Sequence, residues 1–135
     1  MSTFRLEIVT PERKVYSEEV EMVIARGELG EIGILPNHAP FVTPLVVSAL
    51  RIKKNGSETL IAISGGFMEV NQNKVVILAE TAELPQEIDV DRAAAAKERA
   101  EQRLAKSGAA DLDFKRAQFA LQRALNRIQV AKVKK

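Results

Sequence analysis

Apolar and polar residues alternate with a period of two in residues 4–9 (FRLEIV), in residues 20–24 (VEMVI) and in residues 50–53 (LRIK). A strand places successive side chains on opposite faces, so this period predicts strands with one face in a core and the other in water. Turn signals separate the runs: Thr10-Pro11, Asn55-Gly56, Gly65-Gly66 and Asn71-Gln72-Asn73. Asn55-Gly56 is the strongest of them. It lies between the apolar residues Leu50 and Ile52 on one side and Leu60 and Ile63 on the other, and a two-residue type I′ hairpin needs positive φ at both central positions. Short strands at this spacing predict an antiparallel sandwich or barrel rather than βαβ units. After Pro85 the period becomes helical. Asp89 is placed to cap a first helix, the run Ala93-Ala94-Ala95-Ala96 has the highest helix propensity available, and Ser107-Gly108 ends it. A second helix is predicted from about residue 111 to 130, with Phe114, Ala117, Leu121, Ala124, Leu125 and Ile128 as its apolar stripe. The expected whole is β then α: a β-sandwich domain over residues 1–87 and a two-helix αα-hairpin over residues 88–135.

Charge divides the chain at the same border. Residues 1–87 carry eight basic and twelve acidic side chains, a net −4, and residues 88–135 carry twelve and six, a net +6. The two parts are therefore suited to different partners or to each other. The absence of cysteine excludes disulfides and thiolate metal sites. The start of the chain has no basic region followed by an apolar run, and no stretch approaches the length of a membrane span, so a soluble intracellular protein without direct membrane insertion is expected.

Catalytic constellations are missing. The single histidine, His38, stands in a Pro-bounded loop with no cysteine nucleophile and no metal-ligand spacing around it, so packing or hydrogen bonding is its first reading. Gly27, Gly30 and Gly33 are spaced by three and match no phosphate-binding pattern; they read as aids to tight turns or bulges. The arginines of the helices say more. Arg99, Arg103, Arg123 and Arg127 have no carboxylate three or four residues before them, and Arg99/Arg103 and Arg123/Arg127 are like-charge neighbours one turn apart. Arg92, Ala96, Arg99 and Arg103 line one side of the first helix, and Arg116, Arg123 and Arg127 lie opposite Leu121 on the second. Folded together, the helices would flank an alanine-floored groove with arginine. Such faces serve solubility, an anionic ligand such as a phosphate, or a nucleic acid backbone. One Tyr, five Phe and no Trp give little stacking platform for the last of these.

Three segments carry a family resemblance: EIGILPNHAP from Glu31, SGGFMEV from Ser64 and IDVDRA from Ile88. In this order and with a β-then-αα layout, the chain resembles the epsilon subunits of bacterial rotary F-type ATP synthases. The resemblance implies a non-catalytic central-stalk subunit at the cytoplasmic face of the cell membrane. It implies a sandwich of about ten strands that binds the gamma subunit and rests on the rotor ring of c subunits. It also implies a mobile helical pair that restrains ATP hydrolysis in the alpha/beta catalytic head, with no nucleic acid partner. ATP is then expected as a regulatory ligand of the folded-down helices, with no metal called for. By matching positions, the resemblance implies Ile88, Asp89, Arg92 and Ala93 as the nucleotide motif and Arg123 and Arg127 as phosphate contacts. Glu83 and Arg99 fall where further contacts are expected, and Glu31 and His38 where the sandwich faces gamma and the rotor ring. Asn37 departs from the glycine usual in that loop but tolerates the same left-handed conformation.

Overall fold

The computed structural model describes residues 2–106 and 112–132. Residue contacts divide the chain into two compact units, Met1–Glu83 and Leu84–Lys135. The first holds strands β1 (Phe4–Val9), β2 (Lys14–Val20), β3 (Met22–Gly27), β4 (Gly30–Ile34), β5 (Phe41–Lys54), β6 (Ser57–Val70), β7 (Lys74–Ala79) and β8 (Ala82–Glu83). Their order is β2-β1-β7-β6-β5-β3-β4, with β8 also beside β6. All pairings are antiparallel as expected except one: β1 runs parallel to β7. The Asn55-Gly56 hairpin forms as predicted. Lys54 pairs with Ser57, and Asn55 and Gly56 have φ of 52° and 76°.

Eight strands stand where about ten were expected because β5 and β6 are each fourteen residues long and serve both layers. Each changes its buried face midway. In β5, Leu45 is buried and then Ser48, Leu50 and Ile52; in β6, Ile61 and Ile63 and then Met68 and Val70. A period of two changes parity only where a strand twists or kinks sharply. Both changes fall at one corner, since Leu45 pairs with Gly66 and Val47 with Ser64. There the Ser48 hydroxyl donates to the Val46 carbonyl at 2.8 Å. Gly65 and Gly66, expected as a turn, therefore lie inside β6, with φ of 101° and 150°. The core gathers Leu6, Ile8, Ile34, Leu50, Ile52, Ile61, Ile63, Met68 and Ile77, each at most 1% exposed.

Glu7 ties β1 to both of its neighbours, with Lys14 of β2 and Lys74 of β7 each 3.6 Å from its carboxylate. Desolvation raises its pKa, but the two ammonium groups outweigh it and the value falls below 4.5. A carboxyl depressed in the folded state stabilises above its unfolded pKa and loses that contribution as pH falls through the folded value. Urea midpoints of wild type and Glu7→Gln should thus differ at pH 7, and the difference should close as pH is taken well below 4.5. An equal difference at both pH values would refute the pairing.

The second unit opens with a 3₁₀ turn at Pro85–Glu87, followed by α1 (Val90–Lys106) and α2 (Leu112–Lys132). Glu87 Oε1 accepts from the Leu84 N–H at 2.9 Å. The Asp89 Oδ1 accepts from the Arg92 N–H at 3.0 Å, so Asp89 caps α1 as the sequence predicts. The expected stop at Ser107-Gly108 and the start at Asp111 lie outside the described residues. The helices pack along one another, and a connection of five residues makes them antiparallel. Ala93 and Ala100 of α1 and Ala117 and Ala124 of α2 are buried, at a spacing of seven on each helix. Phe114, Leu121 and Ile128 are half-buried beside this line, but Leu125 is exposed. Leu125 belongs to the expected apolar stripe, yet at about 100° per residue it falls on the flank of α2 rather than on the buried line.

Candidate functional site

The alanine seam decides where the arginines go. At about 100° per residue, Arg92, Arg99 and Arg103 trail the buried Ala93–Ala100 line, and Arg116, Arg123 and Arg127 trail the Ala117–Ala124 line on the same hand. Viewed from one end, one helix winds clockwise and its antiparallel partner counter-clockwise, while their seams face each other. Trailing flanks therefore come to the same side of the hairpin. Ala93 stands level with Ala124 and Ala100 with Ala117 when residues are counted from the connection, so Arg92 lies level with the turn that carries Arg123 and Arg127. Arg99 is about 10 Å farther along the axis, at 1.5 Å per residue.

Burial and pairing distinguish these side chains. Among the described residues Arg92, Arg99, Arg103 and Arg123 form no ion pair, and all four are exposed. Arg127 is half-buried and already engaged in an interaction, so it does not share the partnerless state read from its neighbours in sequence. Arg116 stands 3.9 Å from Asp113, with both side chains more than 70% exposed, an arrangement worth little. Of the motif residues, Ile88 and Ala93 are buried, and Asp89 directs a carboxylate oxygen to the backbone of Arg92 rather than to its guanidinium. Glu83 belongs to the other unit, where it ends β8 opposite Ala62 and is half-buried and engaged. Helical periodicity thus puts Arg92, Arg123 and Arg127 on one side of the hairpin at the level of Ala93, with Arg99 on the same side. Among the described residues no group of His, Asp and Glu is arranged to hold a metal ion.

The β unit carries two further features. Glu31, on β4, is 3.7 Å from Arg26 and lines a groove of about 330 Å³ with the β3–β4 turn and Thr43 and Pro44 of β5. Leu29 is fully exposed at the tip of that turn. His38 is half-buried, its Nδ1–H donates to the Ala39 carbonyl at 3.0 Å, and its ring centroid is 5.2 Å from that of Phe41. Glu31 and His38 therefore both adjoin the first residues of β5. The second feature is a row on the outer face: Pro44, Phe67 and Leu78 are cross-strand neighbours on β5, β6 and β7, with Val42 next along β5. Val42, Phe67 and Leu78 are each more than half exposed. Sequence reading missed this row because the corner at Gly65 and Gly66 resets the alternation that would have placed Phe67 outward.

A β-sandwich joined to an antiparallel helical pair with arginines gathered on one side defines a two-part binding protein, one surface apolar and the other cationic. Residues 3–85 match the beta-sandwich domain of the ATP synthase delta/epsilon chain and residues 86–132 its long alpha-helix domain. The chain belongs to the ATP synthase delta/epsilon chain family. It is 53% identical over 131 residues to the ATP synthase epsilon chain of Halalkalibacterium halodurans, covering 97% of this chain and 98% of that one. It is 58% identical over 130 residues to the epsilon chain of Alkalihalophilus pseudofirmus, covering 96% and 98%. A chain of the Euglena gracilis mitochondrial ATP synthase, solved as an OSCP/F1/c-ring assembly, superposes with a TM-score of 0.82 at 25% identity, covering 98% of this chain and 82% of that one. Among the described residues no helix is long and apolar enough to cross a membrane.

Proposed function

We propose that this chain is the central-stalk epsilon subunit of a bacterial F-type ATP synthase, that its helical pair binds ATP, and that the same pair restrains ATP hydrolysis when it leaves the folded-down state. The convergence of Arg92, Arg123 and Arg127 on one side of the alanine seam carries the reading. Guanidinium groups suit phosphate oxygens because their forked donors match them two at a time. Ile88 and Ala93 supply apolar backing for the base, while Asp89 and Arg99 complete the proposed set within the helical unit. Bound ATP is a polyanion for which the arginines serve as counter-charges, so no metal is assigned to the site. In the sandwich, the row Val42, Pro44, Phe67 and Leu78 is a surface for gamma, since exposed apolar patches of this kind mark docking sites. The groove edge at Glu31, with His38 near it, is assigned to the rotor ring and gamma. The alpha/beta catalytic head is the partner of the extended helices, and the assembly stands at the cytoplasmic face of the membrane.

Calorimetric titration of the full chain tests the nucleotide site. ATP should bind more tightly than ADP, because the third phosphate adds charge facing Arg92 and Arg123, which form no ion pair among the described residues. Arg92→Ala and Arg127→Ala should each weaken binding roughly ten- to a hundredfold, the range for losing a charged hydrogen bond of about 1.5–3 kcal/mol. Unchanged affinity in both variants would return these arginines to the role of a solvated face.

A further inference from the structure

We propose that Asp89 serves the nucleotide site as a positioning residue that acts through Arg92, and not through a carboxylate contact with the ligand. The inference rests on the ATP-binding reading given above. Of the four arginines assigned to the ligand, only Arg92 lies in the first turn of α1; Arg99, Arg123 and Arg127 stand in helix interiors. The first turn of a helix has backbone N–H groups without intrahelical acceptors and frays unless it is capped. Here the Asp89 Oδ1 takes the N–H of Arg92 itself at 3.0 Å, and the Asp89 carbonyl takes the N–H of Ala93 at the same distance. Little else secures that turn: Val90 and Asp91 are exposed, Val90 is β-branched, and Ala93 is its one buried side chain. A carboxylate offered to a triphosphate would oppose binding through like charge. Held on the Arg92 N–H at the positive end of the helix, beside the Asp89 carbonyl that takes the next N–H, it instead fixes the Cα of Arg92 on the side where Arg123 and Arg127 converge.

If the cap acts by keeping the first turn formed, its loss lowers the fraction of binding-competent protein, and apparent affinity falls by that fraction. Asn and Ser cap about as well as Asp, whereas Ala does not. ATP titrations of the full chain should therefore show Asp89→Asn and Asp89→Ser within about twofold of wild type, and Asp89→Ala weaker by about fivefold, the equivalent of one lost cap. In an Arg92→Ala background, Asp89→Ala should cost nothing further, because two residues acting through one contact are not additive. Helical circular dichroism should follow the same order, with Ala alone reduced. The proposal is overturned if Asn and Ser lose as much affinity as Ala, or if the Asp89→Ala loss persists undiminished without Arg92, since either result means a direct contact. A wild-type chain that takes up no ATP would overturn the nucleotide reading and the positioning role with it. Full ATP binding by Asp89→Ala would overturn the positioning role alone.

Discussion

Gly66→Ala is expected to unfold the β unit at ordinary temperatures, while Gly56→Ala, also at a positive φ, is tolerated. A Cβ on Gly66 would lie 2.0 Å from the Leu78 carbonyl oxygen and 2.9 Å from the Cα of Ala79, both backbone atoms that no rotamer change can move. One at Gly56 meets nothing within 4 Å. Gly56→Ala should cost about 1–2 kcal/mol, the strain of a left-handed residue with a side chain. Gly66→Ala adds the separation of β6 from β7 at the corner where both layers meet. Its cost should exceed about 4 kcal/mol, a large part of the 5–15 kcal/mol that hold a typical domain together. Chemical denaturation followed by β-sheet circular dichroism measures both, and equal midpoints for the two variants would show that the corner is soft.

The second large effect is on catalysis by the assembled enzyme. Reconstituted head complexes that carry a chain ending at Glu83 should hydrolyse ATP without the restraint imposed by the full chain, because the whole helical unit begins at Leu84. Replacing Arg123 and Arg127 together with alanine should weaken inhibition and its response to ATP at once, since the same charges are proposed to meet phosphates in one state and carboxylates of the head in the other. Ligand at 100 times its dissociation constant shifts such an equilibrium by about 2.7 kcal/mol. That is enough to release a helical pair whose seam is alanine, because each methyl buries far less apolar surface than a leucine. Equal hydrolysis rates with the full, substituted and shortened chains would refute the restraint.

What the sequence disclosed depended on how local the cause was. The Asn55-Gly56 hairpin and the Asp89 cap were legible because the residues that need the geometry are the residues that form it. Gly65-Gly66 misled for the opposite reason. Gly66 is glycine on account of a carbonyl twelve residues farther along, Leu78, and local chemistry alone suggested a turn. The same corner concealed the outward position of Phe67. On the helices, counting turns placed the arginines on one flank of each, and antiparallel packing then brought those flanks together. The engaged, half-buried state of Arg127 had no sequence signal, because its surroundings are assembled by folding rather than by neighbours in the chain.

The lone parallel pairing carries a consequence for how the chain reaches its native state. Arg5 pairs with Lys74, 69 residues downstream, while β3 with β4 and β5 with β6 form hairpins between consecutive strands. Loop-closure entropy makes so distant a contact slow to form. On the ribosome, β1 and β2 leave the exit tunnel before β7, so the β1 edge that pairs with β7 stays open until that strand follows. Synthesis order and folding order therefore run in opposite directions in this unit: the segment made first is the last to be enclosed, and that interval is when a nascent chain most needs a chaperone.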